Sequence, residues 1–238
     1  ANNLSKIFWL DSGTGTVNEL DDIDFGSSAS ADDPYNPRTY YISRYDESVL
    51  KYYDHDGETN VTIGATGITN SFFTKLAFDN FGVLYGLADD HKLYTVNTST
   101  GVATSLGTVS GIATGGDIVF DEFNTLYLIG SEGNLYIVNT STLVKTLVAS
   151  TGLSKVTGLA YMGGDFYVSV ALVSGAGSDI YKLNKDGISV GKINLEVQPV
   201  VNDLSSCLPG QQEPVCVDGK TWADSVVYAD QGTLYGGA

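Results

Sequence analysis

The chain contains a phrase that it repeats without a gap. Phe78-Asp79 recurs as Phe120-Asp121, Leu84-Tyr85 as Leu126-Tyr127, Leu93-Tyr94 as Leu135-Tyr136, and Asn-Thr-Ser-Thr at Asn97 as the same four residues at Asn139, each pair 42 residues apart. Such a unit cannot bury its apolar side alone, so it must stack against copies of itself. Within one copy the pattern reads as four short strands. Leu76-Ala77-Phe78 forms the first and ends at a turn from Asp79 to Gly82; Leu84-Tyr85 marks the second, Leu93 to Val96 the third, and the fourth follows Asn97-Thr98-Ser99-Thr100-Gly101. The turns carry their own mechanism, since Asp or Asn accepts backbone hydrogen bonds where the chain bends and Gly supplies a positive φ where the bend closes. Four strands in 42 residues is the size of one propeller blade.

Two further copies flank this pair. The later one begins at Gly158-Leu159-Ala160-Tyr161, continues with Phe166-Tyr167 and Ile180-Tyr181, and turns at Asn184-Lys185-Asp186-Gly187. The earlier one is more divergent: Asp22-Ile23-Asp24-Phe25 reads as its inner strand, Tyr40-Tyr41 as its second, Leu50 to Tyr53 as its third, and Asp54-His55-Asp56-Gly57 as its turn, with residues 26–37 as a long insertion. The two ends each hold half a blade. Residues 6–20 align with the third and fourth strands of a copy, and residues 226–238 with the first and second. Joined, they complete a fifth blade and leave no open edge. The expected fold is therefore an all-β, five-bladed β-propeller of four-stranded blades rather than one of six. It forms a single domain over 1–238, with blades at about 22–69, 70–112, 113–154, 155–200, and 201–238 closed by 1–21.

Composition agrees with strands and tight turns: 28 Gly and 15 Tyr accompany a single Met. With 28 acidic against 12 basic side chains the net charge is −16, which repels nucleic-acid backbones and anionic membrane surfaces. No run approaches the ~18 apolar residues that a membrane-spanning helix requires. The opening Ala-Asn-Asn-Leu without Met fits a mature secreted chain as well as an excised domain. Cys207 and Cys216 flank a Pro- and Gly-containing loop and are expected to form a disulfide, which points to an oxidising, extracellular setting.

The run from Phe72 to Asn97 resembles the repeat unit of tachylectin-type five-bladed propeller lectins, and its Asp-x-x-Gly-x-Leu-Tyr hairpin is similar to those of NHL and lactonase-like propellers. The resemblance covers the first three strands of each blade across most of the chain and implies the propeller fold. The Gly-Gly-Trp and Asn-Trp elements of the tachylectin sugar pockets do not occur here; Trp9 and Trp222 are unrepeated.

Candidate sites follow from the fold. The residues leading into the inner strands, one per blade, read as Asp22, Lys75, Asp117, Gly158 and Ser225, with Asp24 and Asp224 nearby. Carboxylates converging on a channel, Asp22, Asp24, Asp117 and Asp224, would offer hard oxygen ligands to Ca²⁺ or an acid/base pair; the alternative is a solvated channel mouth partly paired with Lys75. Asp54-His55-Asp56-Gly57 resembles the start of a calcium loop but aligns with the ordinary third-to-fourth-strand turns. Asp32, Asp33 and Tyr35 in the insertion form an expected interaction loop. Sequons occur at Asn3, Asn60, Asn97 and Asn139 and are glycosylation candidates. The recurrent Tyr residues read as packing between blades. Neither His belongs to an inner strand and no Gly-x-Ser-x-Gly occurs, so nucleophilic catalysis has no support.

These features favour a secreted or cell-surface, non-catalytic propeller serving interaction, adhesion or structure, without a required cofactor. A carbohydrate-binding lectin and a channel-metal hydrolase or lactonase are the alternatives. Expected partners are an extracellular protein or glycan, or neighbouring copies, should the terminal strands complete the next molecule's blade and build a filament.

Overall fold

The computed structural model describes residues 5–23, 27–43, 48–113, 115–172, 177–205 and 225–231. Among them there is no helix, and the strands form the expected five-bladed β-propeller. Strands β1 (Ser5–Asp11) and β2 (Val17–Ile23) open the chain. The first complete blade follows as β3 (Ser27–Asp32), β4 (Arg38–Ser43), β5 (Val49–Asp54) and β6 (Thr59–Ala65). The second is β7 (Phe73–Phe78), β8 (Leu84–Ala88), β9 (Lys92–Val96) and β10 (Ala103–Thr108). The third is β11 (Asp117–Phe120), β12 (Leu126–Ile129), β13 (Asn134–Val138) and β14 (Lys145–Ser150). The fourth is β15 (Val156–Met162), β16 (Asp165–Ala171), β17 (Ser178–Leu183) and β18 (Ser189–Ile193), and β19 (Ser225–Gln231) comes last. Each complete blade is an antiparallel meander paired in chain order.

One turn device recurs in all five blades. At the third-to-fourth-strand bend, the side-chain oxygen of Asp11, Asp54, Asn97, Asn139 or Asn184 accepts two backbone N–H groups from the residues just beyond it. Asp54-His55-Asp56-Gly57 is thus a strand turn built like its four counterparts.

The aromatic repeat positions pack between blades. Tyr40 of β4 meets Phe78 of β7 at 5.2 Å, Tyr85 of β8 meets Phe120 of β11 at 5.0 Å, and Tyr127 of β12 meets Phe166 of β16 at 4.8 Å. Such pairs contribute about 0.5–1.5 kcal/mol each beyond the area they bury.

Two strand assignments differ from expectation. The inner strand of the first blade is β3, inside the stretch read as an insertion, while Asp22 and Ile23 belong to β2 at the outside of the closing blade. Its Ser and Ala residues lack the apolar triplet of the other inner strands because small side chains suffice near the axis, where Ser27, Ala29, Ser30 and Ala31 are all buried. The closing blade also differs. The stretch read as its first strand is β19, which pairs directly with β1, Tyr228 opposite Phe8, and so takes second place. The inner place goes to residues 201–205. Asp203 accepts a hydrogen bond from the backbone N–H of Ser30 on β3, and its backbone lies against Gly158 of β15 on the other side. The terminal strands β19 and β1 thus pair within one chain. Leu234-Tyr235, expected as the second strand, lies outside the described residues.

Candidate functional site

The axis is where the inner strands converge. Counted back from the turn acids Asp33, Asp79 and Asp121, the equivalent inner positions are Ala29, Lys75 and Asp117, joined by Gly158 and Asp203 from the last two blades. Gly158 admits the fifth inner strand: a Cβ there would stand 2.6 Å from the Leu204 nitrogen and 2.8 Å from the Asp203 carbonyl carbon. The two oxygens of Asp117 accept the backbone N–H groups of Ile118 at 2.7 Å and Leu159 at 2.8 Å. The Leu159 bond ties the third blade to the fourth, and the Asp203–Ser30 bond ties the fifth to the first.

Lys75 is buried beside this pair and donates to Thr74 Oγ1 at 3.0 Å. Burial, reinforced by Asp203, raises the Asp117 carboxyl well above the usual range. Burial also raises Asp203, against hydrogen bonds from Asp117 and Ser30. The Lys75 ammonium is pulled down by burial and held up by Asp117, Asp203 and Glu132. The arrangement is a buried lysine beside two buried carboxyls, and burial disfavours the charged form of each.

The donor set expected for a divalent cation is only partly within the described residues. Of the four expected ligands only Asp117 reaches the axis among the described residues, where the buried Lys75 is its neighbour. Asp22 lies on β2, opposite Lys6, and Asp24 and Asp224 fall outside the described residues. No group of three metal-ligating side chains occurs among the described residues. Further along, the axis narrows to a cavity of about 20 Å³ between Asp32, Leu76, Ile118, Leu159, Leu204 and Ser205, room for about one water molecule.

A buried polar chain closes that end. Asp32 accepts from the Thr39 hydroxyl at 2.5 Å and from Ser205 Oγ at 3.0 Å, and His55 Nε2 lies 2.9 Å from Thr39 Oγ1. With Asp32 ionised, the single Thr39 hydroxyl proton goes to Asp32 and His55 Nε2 is the donor to Thr39. Burial pushes His55 down to about 4 and Asp32 up to about 6, the latter opposed by its Thr39 and Ser205 bonds and aided by neighbouring Asp33.

The face just outside this end is different in kind. The first-to-second-strand turns open with Asp33, Asp79 and Asp121, each carboxylate accepting two backbone N–H groups of its own turn. That geometry throws the residue two places on outward: Tyr35 is 50% exposed, Phe81 76% and Phe123 72%. The three aromatics occupy one turn position on three consecutive blades. Their turns are bonded to one another, since Tyr35 OH donates to Asn80 O at 2.7 Å, Asn80 N to Asn124 Oδ1 at 2.8 Å, and Asn80 Nδ2 to Glu122 O at 3.0 Å. Lys185 of the fourth blade continues the line, pairing with Glu122 at 2.9 Å and standing over the Phe123 ring at 4.5 Å. Gly82, at φ +79°, lets the Tyr35 ring lie across it, where a Cβ would come within 3.0 Å. Between the first two blades these residues border a groove of about 530 Å³.

Of the expected interaction loop, only Tyr35 presents surface; Asp32 and Asp33 are buried and bonded internally. Asn97 and Asn139 are exposed on their turns, Asn60 lies on β6 with Oδ1 accepting from Tyr41 OH at 2.9 Å, and Asn3, Cys207 and Cys216 lie outside the described residues. Sequence reasoning missed Asp203, Phe81, Phe123 and the Thr39–His55 pair. Continuing the repeat from Gly158 would have pointed near Asp203 rather than to Ser225, and Phe81 and Phe123 stand 42 residues apart at a turn position where a polar residue is usual.

The architecture defines the chain as a five-bladed β-propeller. No protein-family profile and no curated protein matches it. Among solved structures it is similar to a protein of unknown function from Bacteroides thetaiotaomicron, with TM-score 0.62, 15% identity, and 90% of this chain aligned to 61% of that one. The chain therefore spans about 61% of that protein's length. A structure from a nidogen/laminin complex aligns with TM-score 0.56 and 13% identity over 85% of this chain and 82% of its own. One named as a gluconolactonase aligns with TM-score 0.52 and 10% identity over 90% and 91%. At such identities the likeness establishes the fold, which serves many functions.

Proposed function

We propose that this propeller is a non-catalytic interaction module of the extracellular space, and that it engages its partner through the turn face bearing Tyr35, Phe81 and Phe123. One observation carries the reading: three large aromatics stand exposed at the same position of three consecutive turns that are hydrogen-bonded to one another. Single exposed apolar residues are ordinary, but a rigid row of them is the composition of a recognition surface. Among the described residues the axis offers the opposite, a packed core with space for about one water. The fold's occurrence in a nidogen/laminin complex is in keeping with protein partners.

The test is binding to arrays of matrix proteins and glycans by wild type and by a Phe81→Ser/Phe123→Ser variant, alongside turnover of lactone and arabinan substrates with and without Ca²⁺. The reading expects array binding that the double variant loses, and no turnover. Turnover that survives the double variant would overturn it.

A further inference from the structure

We infer that the groove between the first two blades takes a neutral polysaccharide chain, which runs from Tyr35 and Phe81 onward over Phe123. The inference rests on the turn face being the working surface and names the chemistry of its ligand. The groove, of about 530 Å³, has the size of a small-ligand site. Its lining pairs the exposed rings of Tyr35 and Phe81 with short hydrogen-bonding side chains, among them Thr62 and Ser99. An apolar peptide segment would leave those polar groups without partners, at a cost. A ligand with a C–H face on one side and hydroxyls around its edge satisfies both sets, and a sugar ring is such a ligand.

Charge narrows the class. The groove holds one cation and one anion, and each has a partner within the protein. Arg38 pairs with Asp54 at 3.3 Å while its guanidinium stands 4.6 Å from the centre of the Tyr52 ring. Asp33 accepts the N–H groups of Tyr35 and Asn36 and the side-chain amide of Asn36. The net charge of −16, in turn, repels polyanions. A neutral saccharide remains.

Length follows from Phe123. It lies one blade beyond the groove, at the same turn position as Phe81, and the two turns are joined through Asn80, Asn124 and Glu122. A disaccharide in the groove would not use it, whereas a longer chain leaving the groove past Phe81 meets a second fixed ring. Rings already held by their own turns lose little freedom on binding.

Calorimetric titration of the full chain with neutral gluco-, xylo-, manno- and galacto-oligosaccharides, from disaccharide to hexasaccharide, tests this. In at least one series affinity should rise by about tenfold or more with length. Phe81→Ser should weaken every length by about tenfold, and Phe123→Ser only the longer ones. Both side chains are exposed, so thermal melts should match wild type and separate loss of binding from loss of fold. Absence of binding in all series, or binding indifferent to Phe81, overturns the inference. A protein ligand lost in Phe81→Ser/Phe123→Ser, with no saccharide bound, would refute the polysaccharide while leaving the turn face as the binding surface.

Discussion

Replacing Asp32 with Asn should make the protein more stable at neutral pH and leave it unchanged in acid. The folded chain holds the Asp32 proton up to about pH 6, whereas an unperturbed carboxyl releases it near 3.8. Between those values the folded state binds more protons than the unfolded one. The contribution is therefore complete below about pH 3.8 and is lost as pH rises through about 6. The difference corresponds to about 3 kcal/mol. Asn cannot titrate, yet its oxygen still accepts one of the two hydroxyls, Thr39 or Ser205, and its amide can donate to the other. Equilibrium unfolding in urea at a series of pH values would compare the two proteins. The stability gap, variant minus wild type, should be near zero at about pH 4 and widen to about 2–3 kcal/mol by about pH 7.5. Asp203 titrates in the same direction and His55 in the opposite one, but both are common to the two proteins and cancel in the gap. A gap that is flat across the range, or that shrinks as pH rises, refutes the buried, raised carboxyl.

Other consequences are equally direct. Gly158→Ala forces a methyl group into the backbone of residues 203–204 and should cost about 2–3 kcal/mol, read as a lower denaturation midpoint. Asp79→Ala removes the acceptor of the Phe81 and Val83 N–H groups and should cost about 1–3 kcal/mol in the same assay. Light scattering after size exclusion should give a 25.2 kDa particle, because β19 and β1 close the ring within one chain; a concentration-dependent polymer would speak for strand exchange between copies. In a host that glycosylates secreted proteins, peptide mapping should find glycan at Asn97 and Asn139, exposed turn residues whose amide oxygen, not nitrogen, holds the turn.

Much of the fold was legible because repeats state the same solution several times. The 42-residue spacing aligned the second and third blades residue by residue, and the Asx turns and inter-blade Tyr residues followed from it. Strand β3 escaped because its identity lies in what it lacks: Ser and Ala fill a crowded axis as Leu and Phe do elsewhere, and pattern reading looks for apolar bulk. Residues 201–205 escaped because only their neighbours, β3 and Gly158, show them to be an inner strand. The site was less legible still. Asp32, Thr39 and His55 are brought together by strand register, with Thr39 facing Asp32 across β3 and β4, and no local spacing announces that. Phe81 and Phe123 were visible as repeats but gain meaning only once their turns are seen to point outward and to bond to each other.

The central claim is that the face carrying these turns, and not the axis or the opposite face, receives the partner. Hydrogen exchange read by mass spectrometry, with and without the best-binding array ligand, tests it most directly. Protection should appear in peptides covering residues 33–37, 79–83 and 121–125, and be absent from the loops at 89–92 and 130–133 on the other face. Protection confined to those opposite loops, with residues 79–83 unchanged, would contradict it.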